Sequence, residues 1–166
     1  MPSPRCAVGA LDVYLTDSDT ALEDASPVVA NIAAATLSYC NRLERGTRRL
    51  RVTGRGDPRD LRLDLPTFEL ADQARVTLVL QPSVGGVLVH ALASQHQGAL
   101  TALRNPHARV RLAAGVARGG KVTASVSGVS LSVSLTSPSL GAYTLMPAGR
   151  AAAEVAVGDH AVDTSL

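Results

Sequence analysis

Apolar and polar residues alternate along most of this chain with a period of two. Leu11, Val13 and Leu15 alternate with Asp12, Tyr14 and Thr16, and Leu50 and Val52 with Arg49, Arg51 and Thr53. Leu61, Leu63 and Leu65 alternate with Asp60, Arg62 and Asp64, and Val76, Leu78 and Leu80 follow the same rule. Further runs carry Val110 and Leu112, then Val122, Ala124 and Val126, then Leu131, Val133 and Leu135, and last Ala153, Val155 and Val157. This period is the mark of a strand with one face buried and one solvated. Gly-rich breaks at 45–47, 54–58, 85–86, 119–120, 127–128 and 148–149 fall between the runs and supply the turns. Many short strands with regular turn signals predict an all-β sandwich or barrel of antiparallel sheets. Only residues 20–24 and 99–104 read as short helical turns, and the acidic stretch 16–24 reads as a long hairpin loop.

The pattern divides the chain. Residues 1–95 form a first repeat, 96–106 a connector, and 107–166 a second, partial repeat. The halves align at one constant offset: Ile32 with Leu135, Cys40 with Tyr143, Leu43 with Met146, Gly46 with Gly149 and Val52 with Val155. Upstream, residues 11–15 align with 122–126, and the difference in offset is the longer loop 16–27 of the first copy. A gapless match through a turn glycine favours duplication over chance alternation. Neither copy is complete. The second opens with a strand at 108–112 for which the first has no room after Met1, while the first continues through 60–93 and the second stops soon after Val157. A half-sandwich leaves an open edge and an uncovered apolar face. A shared core, an edge-to-edge homodimer or a longer natural chain would each repair it.

The segments 11–15 (LDVYL) and 27–32 (PVVANI), a Tyr-containing strand holding Cys40, and 48–53 (RRLRVT) together resemble a family of bacterial repeats. So do 105–112 (NPHARVRL), Tyr143 and 147–149 (PAG) in the second half. That family is catalogued as domain-of-unknown-function family 4397. The resemblance implies tandem immunoglobulin-like β-sandwiches, the second incomplete here, in a secreted or cell-surface protein. It implies a structural or adhesive role and carries over no catalytic residue. This chain departs from the pattern in its first copy, which lacks the opening strand and has Glu44-Arg45-Gly46 where the second has Pro147-Ala148-Gly149. No signal peptide is visible, so a mis-called start is one expectation and a cytoplasmic location the alternative.

Composition narrows the chemistry. The chain has 166 residues, 46% of them hydrophobic and only 2% aromatic, with a formal charge of +2. Its core is therefore aliphatic. Stacking platforms for bases are scarce, and the field for nucleic acid or anionic membrane is weak. No run reaches the length of a membrane span. There is no Gly-x-Ser-x-Gly elbow, and the serines of 125–139 alternate with Val and Leu as the wet side of strands. His90, His96, His107 and His160 fit no zinc spacing. Asp17, Asp19, Glu23 and Asp24 lack the order of a calcium loop. An enzyme, a metal and a cofactor are accordingly not expected. The candidate partner is a protein or a cell-surface polymer.

Two features remain. Arg49, Arg51 and Arg62 form a candidate anion-binding face for a cell-wall or polysaccharide polymer, although a hairpin pairing 48–53 with 60–65 would set Asp60 and Asp64 among them. Cys6 and Cys40 either form one bridge or stay free; export would favour the bridge. Arg55-Gly56-Asp57 reads as hairpin-turn chemistry.

Overall fold

In a computed structural model the protein is all-β, with a β-sandwich-like arrangement of antiparallel sheets. The structure describes residues 9–84, 87–96, 98–116, 120–158 and 160–165, the last stretch and 133–135 by backbone alone. Two compact units are present, Met1–Pro106 and His107–Leu166. Among the described residues no helix is long and apolar enough to cross a membrane.

Unit 1 contains β1 (Leu11–Thr16), β2 (Val29–Ile32), β3 (Gly46–Gly54), β4 (Asp57–Leu70), β5 (Val76–Pro82), β6 (Val89–Gln95) and β7 (Leu100–Leu103). One sheet has the order β2-β1-β3-β4 and the other β5-β6-β7. Leu11, Val13, Leu50, Val52, Leu63 and Phe68 from the first pack with Val89, Ala91 and Ala93 of β6 in one aliphatic core. Leu50, Val52 and Leu63 are fully buried there. Small alanines on β6 let its backbone approach the larger side chains opposite, as close packing of two sheet faces requires.

Unit 2 contains β8 (His107–Val110), β9 (Ala113–Ala114), β10 (Lys121–Val126), β11 (Val129–Thr136), β12 (Ser139–Leu140), β13 (Thr144–Pro147), β14 (Ala152–Val157) and β15 (His160–Ser165). Its main sheet has the order β11-β10-β14-β15, while β12 pairs with β9 and β13 with β8. Val126, Met146 and Ala153 form a small core with Val110, Leu131 and Ala151.

Residues of the two main sheets that align in sequence also share a pairing register. In unit 1 Leu11 faces Gly54, Val13 faces Val52 and Leu15 faces Leu50. In unit 2 the aligned residues pair identically, Val122 with Val157, Ala124 with Val155 and Val126 with Ala153. On the other side Leu11 faces Ile32 and Val13 faces Val29, with a bulge between them. Val122 faces Leu135 and Ala124 faces Ser132, with a bulge at the same place. Gly46 and Gly149 both adopt φ near +140°, at +134° and +142°, a conformation open to glycine alone.

Several expectations change. β1 is buried on both faces rather than one, because the loop 17–27 folds over its polar side and buries Leu22. Residues 100–103 form an edge strand, not a helical turn: Ala91 pairs with Leu103 and Ser94 with Leu100. The stretch 96–106, expected as a connector, lies within unit 1. The Tyr-containing strand around Cys40 is absent. Residues 33–45 contain no strand and are exposed throughout.

Leu63→Ala should lower stability by roughly 2–5 kcal/mol, the cost of a cavity in a closed core. The exposed Leu37→Ala should change it by less than about 0.5 kcal/mol. Urea unfolding, followed by amide exchange in β1–β4, checks both.

Candidate functional site

Arg49 and Arg51 lie on the sheet face opposite the aliphatic core, whereas Arg62 sits at a bulge of β4, where the register slips between Val52–Leu63 and Thr53–Leu61. Residues two apart on a strand share a face, so Arg49 and Arg51 of β3 project together, and Asp64 of β4 stands opposite Arg51. Arg49 donates from Nε and Nη2 to the two carboxylate oxygens of Asp64, at 2.7 and 2.6 Å. This fork-to-fork pair is the strongest geometry available to a guanidinium. It holds Arg49 above its ordinary value, chiefly through the hydrogen bond to Asp64, with burial opposing.

Arg51 is only 5% exposed. Its Nη2 donates to Thr16 Oγ1 at 2.6 Å and to the Thr20 carbonyl at 2.8 Å. Burial, and then the charge of Arg49, push its value below the ordinary one. Arg62 donates from Nε and Nη2 to Asp60 Oδ2, at 3.0 and 2.6 Å. Arg48 pairs with Asp17 of the loop. The anticipated anion face of Arg49, Arg51 and Arg62 is therefore a ladder of internal pairs. Arg49 fastens β4 to β3, Arg48 and Arg51 fasten the loop to β3, and Arg62 pairs within β4.

Two further polar devices carry unit 1, and sequence reading missed both. Asp12 of β1 is buried and accepts from the backbone N–H groups of Asn31 and Gly56, each at 2.7 Å. One carboxylate thus fixes the end of β2 and the turn between β3 and β4. That turn holds Arg55-Gly56-Asp57, and its Arg55 N–H is also used, donating to the Ala10 carbonyl. The second device is Asn105. Its Nδ2 donates to the carbonyls of Arg62 on β4 and Val89 on β6, at 2.6 and 3.1 Å, and so stitches the two sheets together. Its backbone N–H donates to His90 Nδ1 at 2.9 Å, which places the proton of a neutral His90 on Nε2. An acid inside an apolar alternation, and an Asn before Pro106, were the available signals.

Among the described residues no group of three or more His, Cys, Asp and Glu is placed to hold a metal ion. The acids Asp17, Asp19, Glu23 and Asp24 spread along the loop, with Asp17 spent on Arg48. Cys40 is an exposed free thiol; Cys6 lies outside the described residues, and so does the bridge proposed between them. No family model, no curated protein and no solved structure matches the chain.

Asp12→Ala should cost about 2–3 kcal/mol, because two buried N–H groups lose a charged acceptor. The readout is faster amide exchange at Asn31 and Gly56. Asp64→Asn should cost roughly 2 kcal/mol by weakening the bidentate pair. The raised Arg49 contributes stability that is complete below the ordinary guanidinium value and fades only as pH climbs through the raised one. The lowered Arg51 costs stability in full below its lowered value, and that cost is gone only above the ordinary one. Both windows lie far above neutrality, so the loss in Asp64→Asn should be equal on either side of pH 7. Denaturation midpoints measured across that range check the sign.

Proposed function

We propose that the protein is a non-enzymatic structural or adhesive module, built from tandem immunoglobulin-like sandwich units, of a bacterial secreted or cell-surface protein. The observation that carries this reading is the shared register of β2-β1-β3 and β11-β10-β14, bulge included. Serial copies of one frame suit display and spacing, in which loops and edges do the recognising. The polar chemistry of unit 1 supports it too. Asp12, Arg49, Arg51, Asp64 and Asn105 all serve to join strands and loops. The pairing of Arg49 and Arg62 favours this reading over a module for anionic polymers, which needs those charges outward-facing. Partners are then a protein or a surface polymer, with an exposed β edge as the candidate for self-association.

Fractionation of the source cells, with thiols blocked beforehand, tests the location. Recovery of the native protein outside the cell or on its surface is expected, and purely cytosolic recovery with free thiols overturns it. Binding to the recovered surface should fall little with salt. A log–log slope corresponding to several released counterions would instead favour the polymer module.

A further inference from the structure

The two units differ most between Ile32 and Gly46. The aligned stretches 33–45 and 136–148 are equal in length and bounded by equivalent residues. In unit 2 the stretch holds β12 and β13. Strand β13 pairs with β8, Thr144 facing Val110, Leu145 facing Arg109, Met146 facing Ala108 and Pro147 facing His107. Met146 is thereby 3% exposed and inside the core. In unit 1 its counterpart Leu43 is 42% exposed, and Leu37 and Tyr39 are 95% exposed. Among the described residues no strand pairs with 33–45.

Unit 2 therefore shows what covers this position: an antiparallel strand. The pairing is confined to the β13-like part, 41–44. Upstream, Gly141 is replaced by Ser38, and a Cβ at Gly141 would lie 3.3 Å from the Leu112 carbonyl. Ala34 also replaces Ser137, whose hydroxyl bonds both the N–H and the carbonyl of Val116.

The residues at 41–44 specify the incoming strand. Opposed residues on antiparallel strands attract when their charges differ and repel when they match. A strand opposite Arg42 needs an acid, opposite Leu43 an aliphatic residue, and opposite Glu44 a base. Read in the antiparallel direction, that sequence is basic, aliphatic, acidic. Arg42-Leu43-Glu44 itself has this order. A pairing centred on Leu43 sets each Arg42 against the Glu44 of a second copy, and Leu43 against its own equivalent. This is a closed, self-complementary contact of the two-fold kind. Glu44 is exposed, and its approach to Arg48 within its own chain is a long 3.9 Å, so it is available.

We propose that unit 1 dimerises with a second copy of the chain by antiparallel pairing of 41–44, Arg42 against Glu44 and Leu43 against Leu43. The proposal rests on reading the two units as copies of one frame, and it names the self-association edge of the proposed function.

The test uses the full chain and charge exchange. Sedimentation equilibrium over a range of concentrations should show reversible dimers, and amide exchange at 41–44 should slow as dimer accumulates. R42E and E44R should each raise the dissociation constant at least about tenfold, since both symmetry-related pairs become repulsive. The double variant R42E/E44R should restore it, and the two single variants mixed should form heterodimers. These positions are exposed, so folding should be unaffected. A chain monomeric at every concentration overturns the proposal. So do single variants that dimerise like the parent, or protection of 41–44 already complete in the monomer. Capture of a synthetic peptide of residues 105–112 at 41–44, by a chain that stays monomeric, also overturns it and assigns the edge to a donated strand. None of these outcomes moves the cellular location, so failure here is separable from failure of the proposed function.

Discussion

The burial of β1 on both faces constrains the rest of unit 1. A strand in alternation can send its apolar residues to one core, but its polar residues then need water or partners. Here water is excluded from the second face, and Asp12, Thr16, Arg51, Thr53 and Asp64 are all buried. Most of their polar atoms are matched within the protein, Arg51 Nε being left without a hydrogen-bond partner, and those matches dictate the surroundings. Asp12 draws in the end of β2 and the turn after β3. Arg51 draws in the Thr20 carbonyl and so pulls the loop across the face. Asp64 holds Arg49 flat against the neighbouring strand. Removing one member of such a network leaves a buried group unpaired, which costs more than the lost bond.

Unit 2 shows the same frame without that constraint. The loop 17–27 of unit 1 is replaced by a tight turn at Ser127 and Gly128, both with positive φ. The residues on the corresponding polar face, Thr123 and Ser125, are small and half-buried. Thr123 replaces Asp12, Ser125 replaces Tyr14 and Glu154 replaces Arg51. Ser125 donates to Glu154 at 3.2 Å in solvent, where the bond adds little. Loop length and buried arginine chemistry therefore travel together. The aliphatic face is also covered differently, by β6 in unit 1 and by β8 with β13 in unit 2. One strand frame tolerates both because its inward residues, Leu and Val in unit 1 and Val and Ala in unit 2, set the depth of the covering layer.

Alternation exposed the strands whose two faces meet different environments. β3, β4, β10 and β14 were legible for this reason, and so was the hairpin of β3 with β4 that sets arginines beside aspartates. β7 was not, since Leu100, Ala102 and Leu103 with an Ala before them fit a helical turn equally well. Pairing with β6 decided it, and no local signal reports that. The stretch 36–44 failed in the opposite direction. Its residues suit a strand, yet a strand without a neighbour has no ladder bonds to hold it. The arginine face was legible as a cluster but not as a site. Whether a cluster is open or spent depends on the carboxylates and carbonyls set beside it, which only the tertiary register supplies.

An exposed stretch with Leu37, Tyr39 and Leu43 resembles a sheet edge prone to indiscriminate pairing. Charges are the usual remedy, and Arg42, Glu44 and Arg45 are present. Their order makes them selective rather than merely repulsive. Antiparallel self-pairing centred on Leu43 brings unlike charges together. Centring it instead on Arg42 or on Glu44 sets two like charges face to face. A parallel in-register stack, the arrangement of fibrils, sets every charge against its like. The same residues that admit one pairing therefore penalise the pairings that lead to aggregation, as natural edges do when they combine attraction with rejection of alternatives.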